Sequence, residues 1–216
     1  MDTRRVYRCH YRAQLAAGDT APGLRACEEN ARRLIAEGKL MTAALYHWGP
    51  QLFLYYEALG ELLPPESFMA PLHGLLTPWP QKDELHDWAQ MYNVFWHVEP
   101  KNAEDWQRPV PPERRRGRIA CLKHDKLFSY VYHHHAIAAE GKLTGDRYQS
   151  IALHEDMLFS YFEEPRTNTN NYGDPSLTSE AIQPWLDADP ESHFIRLPGS
   201  SGNFLLLPEY FALGRE

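Results

Sequence analysis

Positive charge is in deficit in this 216-residue chain: 22 lysines and arginines stand against 29 acidic residues, for a net charge of -7. That balance argues against a nucleic-acid footprint. The single basic run, Arg114-Arg115-Arg116-Gly117-Arg118, reads as bordering a linker rather than as a phosphate site. Cysteine is scarce as well. Cys9, Cys27 and Cys121 have no metal-ligand spacing and leave one thiol over in any disulfide scheme, which fits a reducing cytoplasm. No uninterrupted apolar run approaches membrane-spanning length, and Met1-Asp2-Thr3-Arg4-Arg5 has no apolar signal-peptide core behind it. A soluble cytoplasmic protein with neither a membrane nor a nucleic-acid partner is expected. Also missing are a Gly-rich phosphate loop, a Ser or Cys nucleophile motif and a His-Glu-x-x-His signature, so nothing announces phosphoryl transfer, acyl transfer or zinc proteolysis.

What is present is a repeat, with enough apolar (43%) and aromatic (12%) residues to pack a core around it. Ala-Glu-Gly-Lys-Leu occurs at Ala36 and again at Ala139, a separation of 103 residues. Leu52-Phe53-Leu54-Tyr55-Tyr56-Glu57 returns as Leu158-Phe159-Ser160-Tyr161-Phe162-Glu163, 106 residues later. His47 and His154, 107 residues apart, read as matching positions at the two hairpins. Within each copy the patterning predicts strand, helix, hairpin, helix and strand. In the first copy the expected elements are a strand over 5–13, a helix over 23–38, hairpin strands over 40–47 and 51–58, and a helix over 82–97 with Trp88, Tyr92 and Trp96 along one stripe. The Pro-rich stretch after Arg108 serves as the linker. The second copy is expected to supply a strand over 117–123, a helix over 124–141, hairpin strands over 147–154 and 157–164, a polar loop over 166–173, a short helix near 177–186 and a closing strand over 204–213.

This order is the split βαβ motif twice over. The hairpin strands are apolar at nearly every position and therefore want cover on both faces. The expected fold is thus α+β: two tandem ferredoxin-like repeats, 1–108 and 117–216 joined by a 109–116 linker, forming an intrachain pseudo-dimeric α+β barrel. Such a chain completes its barrel as a monomer, with higher homo-oligomers open to it through exposed edges or helices.

Tyr130-Val131-Tyr132-His133-His134, Gly141, Ser150-Ile151-Ala152-Leu153 and the Leu158–Glu163 strand together resemble the L-rhamnose mutarotases, small proteins that dimerise through this kind of barrel. Leu207-Pro208-Glu209-Tyr210-Phe211-Ala212-Leu213 is similar to the family's closing strand, and Trp88-Ala89-Gln90-Met91-Tyr92 is more distantly similar to its Trp-Trp-x-Tyr-Met helix. The resemblance implies a cofactor-free isomerase of carbohydrate metabolism acting on a sugar-like ligand. Its acid–base pair would be His134 and Tyr130, which lie one helical turn apart. A proton-transferring histidine would give an apparent pKa in the ordinary histidine range. Gln149 stands where the family has a tyrosine, with Tyr148 one position off and on the opposite strand face. Trp88, Tyr92 and Trp185 are stacking candidates for a sugar ring, and His47 and His154 are candidates at the hairpins. Three consecutive histidines, His133-His134-His135, point about 100° apart on a helix and cannot all ligate one metal. In the first copy the positions of Tyr130 and His134 project onto Cys27 and Ala31, so one pocket, in the second half, is expected. Two other readings stand beside this one. Tandem α+β barrels also resemble haem- or metal-dependent oxidoreductases of the chlorite-dismutase type, and a duplicated fold can survive as a non-catalytic small-ligand binder.

Overall fold

The computed structural model describes residues 1–16, 18–81, 84–143, 145–166 and 179–215. The chain opens with strand β1 (Val6–Gln14), helix α1 (Ala21–Ala36), strands β2 (Leu40–Trp48) and β3 (Gln51–Leu59) and the short helix α2 (Glu66–Met69). Strands β4 (Trp79–Gln81), β5 (Glu84–His86), β6 (Ala89–Trp96) and β7 (Arg114–Leu122) follow, then helix α3 (Leu127–Ala139). Strands β8 (Ser150–His154) and β9 (Met157–Glu164), helix α4 (Ile182–Asp187) and strands β10 (Phe194–Ile195), β11 (Leu205–Leu206) and β12 (Glu209–Gly214) complete it. The fold is α+β, and every strand pairing is antiparallel. Among the described residues no helix is long and apolar enough to cross a membrane.

The contacts divide into two compact units that a cut at the linker does not reproduce. Unit 1 holds Met1–Met91, Pro100–Pro111 and Pro208–Glu216, and unit 2 holds Tyr92–Glu99 and Pro112–Leu207. Residues 92–99 thus belong with the second unit, and the last strand belongs with the first. The expected linker is also shorter than 109–116, because β7 begins at Arg114. There the basic run is strand, and two of its charges are paired across it: Arg116 Nε lies 3.1 Å from Glu164, and Arg115 Nε 3.8 Å from Glu163.

In unit 1 the sheet runs β12-β2-β3-β1, and Ala89–Met91 add a short further pairing on β1. Helix α1 starts with Pro22 in its first turn, where a missing N–H costs nothing, and buries Gly23, Cys27, Ala31 and Leu34. It stops at Gly38, whose φ of +69° lets Gly38 N–H reach the Ile35 carbonyl (3.0 Å) and Lys39 N–H the Leu34 carbonyl (2.9 Å). Cys27 and Ala31 are packed solid with Phe68, Met69 and Leu72 from α2 and the 3-10 turn after it.

In unit 2 the order is β7-β9-β8, continued by residues 92–96 of β6, with β10 and β11 on the outer side of β7. The expected helix over 82–97 is corrected to strands β5 and β6 over its described part. A spacing of four, as in Trp88, Tyr92 and Trp96, satisfies a strand's period of two as well as a helix's period of 3.6. The burial alternation of Ala89 (in), Gln90 (out), Met91 (in) and Tyr92 (out) shows which period holds, and a register shift between Asn93 and Phe95 then resets the faces. The short helix expected near 177–186 is Ile182–Asp187; residues 177 and 178, and all of the polar loop beyond Arg166, lie outside the described residues.

Candidate functional site

Unit 2 contains a cavity of about 590 Å³ whose walls come from β6, β7, α3, the residues before β8, and α4. Helix α3 presents Tyr130 and His134, stacked with ring centroids 3.7 Å apart and planes within 18°. Helix α4 brings Trp185 edge-on to both, at 5.8 Å from Tyr130 and 4.6 Å from His134. From β6, Phe95 stands edge-on to His134 at 5.5 Å and to His97 at 5.2 Å, so two imidazoles flank one phenyl ring.

The hydrogen bonds of these histidines fix their tautomers. His134 Nδ1 lies 3.0 Å from the carbonyl of Tyr130, and His97 Nδ1 bonds the carbonyl of Gly145. A carbonyl only accepts, so both Nδ1 atoms carry the proton and both Nε2 atoms are left as bare acceptors. Burial pushes the pKa of His134 down to about 3, and burial also lowers that of His97. Burial raises the Tyr130 phenol above its usual range, keeping it a donor. Its hydroxyl makes no hydrogen bond to any described residue. At neutral pH the pair is therefore an acceptor and a donor with pKa values pushed far apart.

The polar wall is carried by two arginines and a glutamine. Arg118, on β7, lies with its guanidinium carbon 4.3 Å from the Phe204 ring and 5.1 Å from that of Phe162. Among the described residues its side chain's only hydrogen bond is a long one, 3.4 Å from Nε to Ser160 Oγ, and no carboxylate pairs with it. Burial, reinforced by the like charge of Arg166, lowers its pKa to about 10. Arg166 differs: it is committed to Asp146 and donates to Gln149 Oε1 at 2.6 Å. Asp146 holds this position with a φ of +43°, a conformation that aspartate tolerates better than most residues. With its oxygen taken by Arg166, Gln149 has its amide NH₂ left as a donor at the cavity wall.

Of the expected site residues, Tyr130, His134, Gln149 and Trp185 meet in this cavity, and the other four do not line it. Trp88 is buried in the core of unit 1. Tyr92 is 66% exposed, the wrong side of its strand for a wall. His47 stacks on Tyr210 at 4.4 Å in unit 1. His154 ends β8 opposite Met157, whereas His47 pairs with Leu52. Since Leu52 and Leu158 are the corresponding residues of the two strands, the counterpart of His47 is Leu153, and His154 answers to Trp48. The expected equivalence is off by one residue, which in a strand is the opposite face. His97, Arg118 and Arg166 are site residues that the sequence reading did not single out. Among the described residues no group of three or more His, Cys, Asp or Glu is placed to hold a metal ion.

No protein-family model matches the chain, and no curated protein matches it. Among solved structures, a candidate monooxygenase from Lactobacillus acidophilus NCFM aligns with a TM-score of 0.47 at 7% identity, over 98% of this chain and 97% of that one. A candidate monooxygenase from Fusobacterium nucleatum subsp. nucleatum ATCC 25586 aligns with a TM-score of 0.45 at 6% identity, over 100% of this chain and 96% of that one. An anthrone oxidase-like protein aligns with a TM-score of 0.36 at 9% identity, over 99% and 94%. These structures are named as monooxygenases or as an anthrone oxidase-like protein and none as a mutarotase, and the expected isomerase of carbohydrate metabolism is not carried forward. The pocket agrees on physical grounds. Proton shuttling at neutral pH wants groups that titrate near it, and His134 at about 3 does not.

The depressed histidine has a measurable consequence. Its proton is absent in the folded state and present in the unfolded state between pH 6.5 and about 3. The stability that His134 contributes is therefore complete above pH 6.5 and is lost as the pH falls, at up to about 1.4 kcal/mol per pH unit. Urea midpoints at pH 7.5 and pH 5 are expected to differ less in His134→Phe than in the parent. An unchanged difference would show that the imidazole is not held neutral.

Proposed function

We propose that unit 2 binds a planar, largely apolar small molecule carrying one negative oxygen, and acts on it as an oxidoreductase. The observation that carries this reading is Arg118, a half-buried guanidinium at the cavity wall that no described carboxylate neutralises. A cation in an apolar pocket favours the ionised form of a bound acid or phenol. An ionised phenol or enol is more electron-rich than its neutral parent and is the form that gives up electrons. Tyr130 Oη and the Gln149 amide are donors for the same oxygen, the Nε2 atoms of His97 and His134 accept from a neighbouring hydroxyl, and Phe95, Trp185 and Phe204 supply flat apolar cover.

The two units are also inferred to be copies of one ferredoxin-like repeat. In support, each carries the same bond, Tyr55 Oη to Glu57 and Tyr161 Oη to Glu163, both 2.7 Å, behind hairpins of equal turn length.

The test is calorimetric titration with hydroxynaphthoate and with its neutral amide, followed by dioxygen uptake in the presence of the tighter ligand. A charge-assisted contact predicts that the carboxylate binds about 10- to 100-fold tighter than the amide. Consumption of one dioxygen per ligand oxidised supports the enzyme; binding without turnover would leave a small-ligand receptor. Equal affinity for acid and amide would remove the role given to Arg118.

A further inference from the structure

We propose a second site, in unit 1, for a small oxyanion such as phosphate, sulfate or a carboxylate, seated between Thr42 and Arg215. A cavity of about 250 Å³ opens there, lined by Met41, Thr42, Gln107, Arg108 and Arg215. The register of the sheet builds it. Gly214, the last residue of β12, pairs with Thr42 of β2, and the next residue is anchored by Arg215 N–H donating to the Met41 carbonyl at 2.8 Å. This brings exposed Arg215 and buried Thr42 to one cavity.

Two independent observations point to an anion. Thr42 is fully buried, yet its Oγ1 has no hydrogen-bond partner, a deficit that costs about 1–3 kcal/mol if left unmade. Arg215 is exposed and makes no ion pair or side-chain hydrogen bond among the described residues. Asp2, whose charge Arg215 senses, is already gripped by Arg4 at 2.6 and 2.9 Å. Arg108, also on the lining, is neutralised by Glu57, so the two arginines and one glutamate leave a net charge of one positive unit beside the cavity. A hydroxyl without a partner and a guanidinium without an ion pair, both lining one cavity, suit an oxyanion that accepts from both. Such an ion would tie β12 to β2 and stabilise the folded state by mass action.

The experiment compares the thermal midpoint in phosphate, sulfate and acetate with that in chloride at equal ionic strength, and titrates inorganic phosphate by calorimetry. The parent protein is expected to show a saturable rise with at least one of the three oxyanions. In Thr42→Val and in Arg215→Gln the affinity for that ion should fall about tenfold or more. The valine variant should be as stable as the parent in chloride, because it removes a hydroxyl with no partner and keeps the shape. A saturable response retained in full by both variants, or no response to any of the three oxyanions, overturns the site.

Discussion

Replacing Arg118 by glutamine is expected to weaken binding of a planar anion by about 10- to 100-fold while leaving the folded protein as stable as before, or more so. The two halves of this result have one cause. A guanidinium lowered to a pKa of about 10 by burial is paying for desolvation, and its single 3.4 Å contact with Ser160 does little to offset that. Removing the charge relieves the folded state and deprives the ligand of its counter-ion. The variant should lose affinity for hydroxynaphthoate and keep its weaker affinity for the neutral amide, so that discrimination collapses along with binding. Arg118→Lys is expected to fall between the two, since lysine keeps the charge but not the flat group that lies over Phe162 and Phe204. Calorimetry gives the affinities, and urea midpoints give the stability. Equal losses for acid and amide would mean that the side chain shapes the pocket and does not read charge.

Much of the scaffold was legible because it rests on local chemistry. Gly38 marks a helix end through a left-handed φ that glycine adopts freely, and the hairpins β2–β3 and β8–β9 are announced by apolar runs on either side of two-residue turns. The segment 82–97 failed because aromatic residues four apart fit both periods, and what decided between them was pairing with β1 and β8, which no local window contains. The exchange of strands between sequence halves, with residues 92–99 in one unit and Pro208–Glu216 in the other, is likewise set by long-range contacts.

The pocket was half legible. Tyr130, His134, Gln149 and Trp185 were reached from one helix turn and a resemblance, and the mutarotase chemistry that came with them was not upheld. Spacing says which side chains share a face but nothing of how dry that face is, and dryness is what takes His134 to about 3. Arg118 left a trace in the strand pairings. Unit 1 places Tyr11 opposite Leu54, and unit 2 places Arg118 opposite Ser160. The pair Tyr11–Leu54 in one unit is the more polar pair Arg118–Ser160 in the other, although β3 and β9 otherwise share Leu-Phe, Tyr and Glu at matching positions. That paired departure, read across the strands instead of along them, points to the cavity more directly than the histidine run does.

Replacing Glu57 by alanine is expected to destabilise the protein by about 3–5 kcal/mol, a large part of the roughly 5–15 kcal/mol that holds a domain together. The carboxylate is fully buried and accepts from Tyr55 Oη (2.7 Å), Trp106 Nε1 (2.8 Å), Arg108 Nη1 (2.7 Å) and Arg108 Nη2 (2.9 Å). Without it the Arg108 side chain, 4% exposed, becomes an uncompensated buried cation. The double variant Glu57→Gln with Arg108→Met should recover much of the loss, because neither charge is then stranded. Burial alone would raise the pKa of Glu57, but Arg108, Trp106 and Tyr55 together hold it below the ordinary value of 4.5. Its contribution is therefore intact above that pH and is lost as the pH falls through the folded value, so the double variant should also show a flatter acid limb. Glu163 provides the internal comparison. It keeps the tyrosine bond at 2.7 Å but is less deeply buried than Glu57, with Arg115 Nε at 3.8 Å. Glu163→Ala should cost less, about 1–3 kcal/mol. Urea unfolding of the two single variants side by side decides the matter: equal losses would mean that the tyrosine bond, and not the buried ion pair, is what each carboxylate supplies.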